Sequence, residues 1–320
     1  LIKDFYLLIF FRTNGDNIMH ISAIISEYNP FHNGHAYHIK KTRDLCATHI
    51  ISIMSGNFVQ RADISIISKY KKAQIALNEG VDLVIELPIC YSTATASKFA
   101  FNAVNIASSL NCVDSLSFGS ECGDINLLKK AANYIQANKT YSHIKNYLDK
   151  GLSFSKSRSL AVRDLYGEEI SSILDLPNNI LAIEYLRALK NLNSNIKPIT
   201  FKRNFSFHDS DIINENYASA SYIRNLIYNN RSFDSFLPMH SKEIINEQIN
   251  LKKAPASINK LEVAILAKLR TMTVKELSLL PDISEGLENR LYKSIRVSTS
   301  LNELYNNTKT KRYSHSRIRR

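Results

Sequence analysis

Two histidines with two residues between them, His32 and His35, are the clearest candidates for chemistry in this chain. A helix N-terminus leaves N–H groups unpaired and carries partial positive charge, so it attracts phosphate. Residues three apart share one side of a first helical turn, so both imidazoles can donate hydrogen bonds to a phosphate that gains charge. Gly34 between them has no Cβ and would let that phosphate approach the backbone. The tetrad His32-Asn33-Gly34-His35 therefore predicts a site for nucleotidyl transfer.

The elements around the histidines predict a parallel sheet. Ile21–Ile25 is an apolar, β-branched run typical of an interior strand, and Pro30 ends it because proline cannot donate to a strand ladder. Further strands are predicted at His49–Met54, Val81–Leu87, Val113–Phe118 and Ile196–Phe201. Helical patterns lie between these strands, which indicates an α/β fold with a doubly wound parallel sheet, followed by an all-helical C-terminal domain.

Three segments are predicted along the chain. Residues 1–18 contain the apolar run Phe5–Phe11, which is too short for a membrane span and has no small-residue cleavage site after it. We expect these residues to be an upstream extension outside the fold, with Met19 as the functional start. Residues 19–235 are predicted to form the α/β domain. Only helical patterns recur in residues 236–320, which are predicted to form a basic, helical domain.

Charge and cysteine content narrow the class of protein. The chain has 41 Lys and Arg against 29 Asp and Glu, and this net charge of +12 indicates a polyanionic partner. Four cysteines without a C-x-x-C pair give no zinc or disulfide pattern, which favours reduced thiols in a cytoplasmic protein. The last twelve residues, KTKRYSHSRIRR, contain six basic residues and no acidic one, with Tyr313 and His315 among them. This pattern suits either a nucleic-acid contact, with phosphates on the basic residues and bases stacked on the rings, or a solvated tail.

Three other local patterns suggest ligand contacts. A polar loop, Ser55–Arg61, follows the second strand, at the sheet edge where α/β proteins bind ligands. Pro177 and the two asparagines after it begin a helix, because proline is favoured in a first turn. Ser219–Arg224 opens another helix, where serine hydroxyls either cap free N–H groups or share them with a phosphate.

Taken together, these motifs resemble the tRNA(Met) cytidine acetate ligases, relatives of the HIGH-type nucleotidyltransferases. The segments that match, in family order over residues 19–320, are Glu27–His35 (EYNPFHNGH), Met54–Arg61 (MSGNFVQR), Val81–Pro88, Phe118-Gly119, Pro177–Ile180, Ser219–Arg224, Glu285–Arg290 and Lys309–Tyr313. The chain departs from the family at Ala62-Asp63-Ile64, where the family has Gly-Glu-Pro. The family also continues beyond the Lys309–Tyr313 region. The resemblance therefore implies a complete ATP-binding domain in residues 19–235 and an incomplete tRNA-binding domain in residues 236–320.

The resemblance implies an enzyme that activates acetate with ATP and passes the acetyl group to N4 of the wobble cytidine of elongator tRNA(Met). His32 and His35 would stabilise the α-phosphate, Gly119 would leave room for the nucleoside, Asn178 would bind the nucleotide and Arg203 would neutralise phosphate charge. Mg²⁺ is expected with ATP. The implied ATP-binding residues are Ile25, Ser26, Glu27, Tyr28, Asn29, Pro30, Phe31, His32, Asn33, Gly34, His35, Ala36, Tyr37, His38, Gly119, Asn178 and Arg203.

Three further groups of residues complete the expected sites. Helix-start chemistry adds the phosphate candidates Ser219, Ser221 and Arg224. The expected substrate loop consists of Ser55, Gly56, Asn57 and Arg61. The expected tRNA contacts are Lys309, Lys311, Arg312, Tyr313 and Arg317. Neither a membrane nor an obligate protein partner is expected.

Two other classes of function stay open at this stage. One is a small-molecule adenylyltransferase or carboxylate–amine ligase on the same fold, similar to pantothenate synthetase, although a small substrate needs no basic helical extension. The other is a non-catalytic RNA-binding protein, although such a protein has no need for the intact tetrad. Pyrophosphate release from ATP, with acetate and with or without tRNA, distinguishes the three.

Overall fold

The computed structural model describes residues 19–60, 62–203 and 216–320. The predicted extension 1–18 and the candidate Arg61 lie outside the described residues. The strands are β1 (Ile21–Ser26), β2 (His49–Ser55), β3 (Phe58–Val59), β4 (Asp63–Ile64), β5 (Leu83–Leu87), β6 (Ser115–Ser120) and β7 (Lys197–Lys202). The α-helices are α1 (Asn33–Leu45), α2 (Lys69–Asn78), α3 (Ile89–Ser92), α4 (Ala96–Ser109), α5 (Ile125–Gln136), α6 (Asn138–Asp149), α7 (Phe154–Tyr166), α8 (Glu168–Ile173), α9 (Pro177–Asn191), α10 (Ala220–Tyr228), α11 (Met239–Asn250), α12 (Glu262–Thr271), α13 (Val274–Ser278), α14 (Leu287–Val297), α15 (Leu301–Thr308) and α16 (His315–Arg319).

Five strands form one parallel sheet in the order β5-β2-β1-β6-β7, which confirms the predicted doubly wound sheet. Ala23 of the central strand β1 is in register with Ile51 of β2 and Leu116 of β6. The chain winds away from β1 in both directions, so the carboxyl ends of β1 and β6 form a topological switch point, where α/β proteins bind ligands. β3 and β4 form a separate antiparallel hairpin that sequence patterns did not predict, because two-residue strands show no periodicity.

Strand β1 is buried on both faces, because successive side chains point to opposite sides of the sheet. Ala23 lies in a first core with residues of α4, α5 and α9. Ile24 lies in a second core with residues of α1, α2, α10 and α11. These two layers of helices hold the sheet and fix the starts of α1 and α9 at its carboxyl edge.

The C-terminal helices have a third core, which includes Leu266, Leu291 and Tyr313. The boundary expected at 235/236 falls within the second core, because Phe236 and Ile245 pack there with β1. We therefore propose that the helical domain begins after Ala254, the last buried residue of the second core. Within the described ranges, no helix is both long enough and apolar enough to cross a membrane.

Candidate active site

A cleft of about 500 Å³ opens at the carboxyl edge of the sheet, between the ends of β1 and β6. This volume is within the range of small-molecule binding sites. The predicted residues that line it are Ile25, Ser26, Glu27, Tyr28, Asn29, His32, Gly34, His35, Tyr37, His38, Gly119, Asn178, Arg203, Ser219, Ser221 and Arg224. The structure thus brings together residues that are almost 200 positions apart in the sequence.

Backbone hydrogen bonds fix the orientation of both histidine rings. His32 is the N-cap of α1, and its Nδ1 accepts from the backbone N–H of Gly34 at 3.0 Å. The backbone N–H of His32 donates to Nδ1 of His35 at 3.1 Å, and the two rings stack with centroids 3.8 Å apart. Because Nδ1 is the acceptor in each neutral ring, the proton is assigned to Nε2. Each ring therefore keeps one N–H donor for a ligand in the cleft.

Gly34 is required by the neighbouring imidazole. A Cβ built at this position would lie 2.8 Å from Cε1 and 3.0 Å from Nδ1 of His32, closer than real Cβ contacts allow. The sequence prediction was that Gly34 makes room for phosphate. The structure gives a more immediate reason, because a side chain here would displace the ring that caps α1.

Burial keeps three histidines of the cleft neutral. It lowers the pKa of His32 to about 3, with smaller contributions from the positive charges of Arg203 and Arg224. It also lowers the pKa of His38 to about 3, with Arg203 adding to the effect. The pKa of His35 lies well below its usual value, first because of burial and then because of His32 and Arg203. At neutral pH the histidines are thus uncharged donors, and the two arginines supply the positive charge.

A chain of hydrogen bonds holds Arg203 in the cleft. Its Nη1 donates to Oδ1 of Asn178 at 2.8 Å, and Nδ2 of Asn178 donates to Oε1 of Glu121 at 2.7 Å. The Glu121 carboxylate also accepts from the backbone N–H groups of Asn178 and Asn179, at 3.1 and 2.7 Å. It therefore caps α9 at the end where a negative charge is favourable. Asn178, predicted as a nucleotide ligand, also positions Arg203.

Gly119 lies directly beneath the side chain of Arg203. A Cβ here would lie 2.7 Å from Cγ of Arg203 and 3.2 Å from Cζ of Phe201. The predicted role of this glycine was to leave room for a nucleoside. In the structure the space it leaves is taken by Arg203, which could not cross the end of β6 over a larger residue.

The three helix-start candidates line the cleft as expected from the sequence. Ser219 caps α10 by accepting from the backbone N–H of Tyr222 at 3.2 Å, and its Oγ lies 3.3 Å from Oγ of Ser221. Arg224 reaches across the cleft, where Nη1 donates to the carbonyl oxygen of Asn29 at 2.7 Å. This bond ties α10 to the turn that carries the histidines.

Four residues of the predicted ATP segment do not line the cleft: Pro30, Phe31, Asn33 and Ala36. Phe31 is fully buried in the second core, and its carbonyl oxygen accepts from Oγ of Ser241 at 2.7 Å. Nδ2 of Asn33 donates to the carbonyl oxygens of Asn216 and Ser235, at 2.8 and 2.9 Å. The contacts of Phe31 and Asn33 hold the turn in place on the side away from the cleft. Direct contact of these four residues with ATP stays a prediction.

Three residues of the predicted substrate loop, Ser55, Gly56 and Asn57, do not line the cleft, so their contact with substrate stays a prediction. The carbonyl oxygen of Ser55 accepts from Nζ of Lys72 at 2.8 Å. Gly56 packs under Glu86, and Oδ1 of Asn57 accepts from the backbone N–H of Lys69 at 2.8 Å. These residues shape the loop. Its residues Val59 and Gln60 line the cleft, as does Asp63 shortly after the loop.

Sequence reasoning missed an apolar wall of the cleft. Phe99, Phe118, Leu181 and Tyr185 line the cleft together with Asn178. The spacing of Asn178, Leu181 and Tyr185 places them on one face of α9, so helical periodicity could have found this part of the wall. Phe99 and Phe118 had no such signal, because an apolar side chain in a helix or strand usually packs in a core.

Lys72 is a second feature that the sequence did not indicate. Its side chain is fully buried, and Nζ donates to the carbonyl oxygens of Glu27 and Ser55, each at 2.8 Å. Burial lowers the pKa of Lys72 to about 8, against the opposing effects of the Glu27 and Glu86 carboxylates. The ammonium group therefore joins the carboxyl ends of β1 and β2 beside the cleft.

The predicted tRNA contacts fall into two groups. Tyr313 is 8% exposed and belongs to the third core, where its hydroxyl donates to the carbonyl oxygen of Glu285. Nη1 of Arg317 donates to Oε2 of Glu285 at 3.1 Å. Because the ring is already packed, we propose that Tyr313 stabilises the third core, and its contact with tRNA stays a prediction. Lys309, Lys311 and Arg312 are exposed.

Residues 19–320 match the family described as HIGH Nucleotidyl Transferase. The tRNA(Met) cytidine acetate ligase of Clostridium botulinum (strain Kyoto / Type A2) is 44% identical over 318 residues. The tRNA(Met) cytidine acetate ligase of Thermoanaerobacter sp. (strain X514) is 43% identical over 307 residues. In both cases the alignment covers 94% of this chain and 76% of the relative.

Solved structures of Thermotoga maritima TmcAL share the fold. The form bound with alpha-thio ATP matches with a TM-score of 0.86 and 33% identity, over 94% of this chain and 73% of that chain. The apo form matches with a TM-score of 0.88 and 34% identity, over 94% of this chain and 74% of that chain. The agreement extends beyond the sheet to the C-terminal helices, because it covers nearly the whole chain.

Proposed function

This chain belongs to the tRNA(Met) cytidine acetate ligase family of HIGH nucleotidyl transferases, and we propose that its cleft activates acetate with ATP for transfer to a tRNA cytidine. The observation that carries the proposal is the pair of neutral, stacked imidazoles of His32 and His35 beside Arg203 and Arg224. Neutral donors held in advance at the start of α1 suit a phosphate on which negative charge grows.

The first step joins acetate to the α-phosphorus of ATP. An acetate oxygen attacks phosphorus, the bond to the pyrophosphate oxygen breaks, and the products are acetyl-adenylate and pyrophosphate. The Nε2–H groups of His32 and His35 donate to the α-phosphate oxygens as their charge increases. Arg203 and Arg224 neutralise the phosphates, with Ser219 and Ser221 as further donors.

The second step forms the amide. The N4 amine of the tRNA wobble cytidine attacks the acetyl carbon, the bond from that carbon to the adenylate oxygen breaks, AMP leaves and N4 loses a proton. The product is N4-acetylcytidine in elongator tRNA(Met). The exposed side chains of Lys309, Lys311 and Arg312 are proposed to contact the tRNA backbone.

The remaining contacts are assigned by their chemistry. The apolar wall of Phe99, Phe118 and Tyr185 suits the adenine base, with Asn178 as the adjacent polar group. Mg²⁺ is expected to accompany ATP, since it keeps several waters and uses few protein ligands. Glu27 is a carboxylate in the cleft lining that such an ion could approach. The four cysteines are free thiols, as is usual in a reducing compartment, and we propose that the protein acts in the cytoplasm.

The test is acetate-dependent exchange between ATP and labelled pyrophosphate, followed by acetyl transfer to tRNA. Our proposal expects exchange that requires acetate, and an acetylated cytidine when elongator tRNA(Met) is added. Exchange that prefers another carboxylate and gives no tRNA product would favour the small-molecule ligase. Binding of tRNA without any exchange would favour the non-catalytic RNA-binding protein.

A further inference from the structure

The hairpin β3–β4 and the helix α16 meet on one side of the cleft. Nη2 of Arg319, in α16, lies 3.2 Å from Oδ2 of Asp63, in β4, and both side chains line the cleft. The guanidinium carbon of Arg319 is 5.8 Å from the ring centroid of Tyr305, in α15. A side chain of the C-terminal helices therefore forms part of the wall of a cleft that otherwise belongs to the α/β domain.

This ion pair is poorly explained by stability alone. The side chains of Asp63 and Arg319 are 30% and 26% exposed, and exposed pairs of this kind typically contribute about 0–1 kcal/mol. A carboxylate and a guanidinium side by side, both partly exposed on the wall of a cleft, instead suit a polar ligand.

We propose that Asp63 and Arg319 form the subsite for the acceptor base, an inference that rests on the proposed function. The pairing edge of cytosine has the N4 amine as a donor, next to the acceptors N3 and O2. The Asp63 carboxylate can accept from the amine, and the guanidinium can donate to the acceptors beside it. The pair thus presents an acceptor and donors in the order in which guanine presents them to cytosine.

The same pair would reject uracil. Uracil has a carbonyl oxygen at the position of the cytosine amine, and an ionised carboxylate has no proton to donate to it. Binding uracil would leave two acceptors facing each other in a partly buried site, and unpaired polar groups of this kind produce strong discrimination. The subsite therefore selects the base that carries an amine, which is the group to be acetylated.

The subsite also gives the C-terminal helices a role in the chemistry. The helix α16 that carries Arg319 is anchored by Arg317, whose Nη1 donates to Oε2 of Glu285 at 3.1 Å. A base bound to Arg319 and Asp63 lies in the cleft that contains His32 and His35. Its amine is then held near the acetyl-adenylate, and such positioning accelerates the transfer step.

The experiment compares the two half-reactions in Arg319→Gln and in the matched control Arg320→Gln. Wild type must first show acetate-dependent exchange and cytidine acetylation, because failure there contradicts the proposed function itself. For Arg319→Gln we expect kcat/KM for acetyl transfer to fall about 10–100-fold, while exchange without tRNA changes less than about threefold. Arg320→Gln removes the same charge one residue further on and should change transfer less than about threefold. An equal loss of exchange and transfer in Arg319→Gln would make Arg319 an ATP ligand and overturn the inference, as would unchanged transfer.

Base selectivity provides a readout that a merely structural ion pair would not change. Because uridine has no N4 amine to acetylate, the preference is measured as the ratio of binding affinities for tRNA with cytidine and with uridine at the wobble position. Asp63→Asn introduces an amide that can donate to a carbonyl oxygen, so this ratio should fall at least about fivefold. The control Asp234→Asn alters a carboxylate that pairs with Lys242 at 3.4 Å and does not line the cleft. Asp63→Glu, which keeps the carboxylate, should retain the preference. An unchanged cytidine-to-uridine ratio in Asp63→Asn would overturn the subsite even if overall affinity fell.

Discussion

The turn between β1 and α1, taken with the start of α1, and the segment Lys309–Arg320 both contain histidine and aromatic side chains, yet the structure uses them differently. In the turn, His32 and His35 are fixed by backbone hydrogen bonds and keep their Nε2–H groups for a ligand. In the C-terminal segment, the most promising aromatic residue, Tyr313, is already a core residue. The comparison shows that residue type alone does not identify a binding residue. What matters is which polar atoms remain available after the fold has used the others.

The difference also explains what could be predicted. The contacts that orient His32 and His35 join residues two or three positions apart, so they follow from local spacing. The contacts that bury Tyr313 and Arg317 join them to Glu285, about 30 residues earlier. A basic run shows nothing of such distant partners, so the tRNA contacts were only partly predictable.

The fold was predicted where a pattern spanned five or more residues. The five strands of the parallel sheet and the long helices were found, since each buries a periodic apolar face. The hairpin β3–β4 was missed because it is too short for a pattern. The Asp63–Arg319 pair was missed because tertiary packing alone brings together side chains 256 positions apart. The expected domain boundary at 235/236 stays a prediction, and we propose a later one because α11 shares the second core with residues of β1 and α2.

The largest expected effect tests whether Tyr313 belongs to the core. Tyr313→Ala should lower the free energy of unfolding by about 3–5 kcal/mol, as for other large aromatic residues removed from cores. The control Tyr141→Ala, which alters a side chain that is 70% exposed, should have little effect. Urea unfolding measures both. Wild-type stability in Tyr313→Ala together with weaker tRNA binding would restore the prediction that the ring stacks on a base.

The next effect tests the other region, the turn. His35→Ala should slow acetate-dependent pyrophosphate exchange roughly 10²–10³-fold. The reason is that removing one preorganised donor costs about 2.7–4 kcal/mol of transition-state stabilisation. His143→Ala, in helix α6 and away from the cleft, is the control. Circular dichroism should show that both variants are folded. Near-normal exchange in His35→Ala would remove this histidine from the mechanism.

A smaller effect follows from the neutral state of His32. Its pKa is about 3 in the folded protein and about 6.5 in an unfolded chain, so between these values only the unfolded chain binds the proton. Stability is therefore fully present above pH 6.5 and is lost as the pH falls towards 3, by up to about 1.4 kcal/mol per pH unit. His32→Asn keeps a capping oxygen but cannot titrate, so its stability should depend less on pH. Urea unfolding between about pH 4 and 7 measures this, and identical slopes would show that His32 is not buried as a neutral group.

The smallest effect concerns the exposed part of the C-terminal segment. Changing Lys309, Lys311 and Arg312 to glutamine should weaken tRNA binding without changing ATP binding, because these side chains lie outside the cleft. Removing one phosphate contact should reduce the slope of log affinity against log salt by about 0.7–0.9. Arg317 stays unchanged in this variant, because removing its hydrogen bond to Glu285 would mix a structural effect with an electrostatic one.

The matched control for this charge change is the triple glutamine variant of Lys139, Lys145 and Lys156, which are also exposed but lie on helices α6 and α7. Both variants lower the net charge by three, so a general electrostatic attraction would weaken tRNA binding equally in both. A shallower salt dependence in the C-terminal variant alone indicates that phosphates lie against Lys309–Arg312. Equal slopes would make that segment a solvated surface. The interaction with tRNA would then rest on the side of the cleft formed by Asp63 and Arg319, where affinity depends on the base more than on salt.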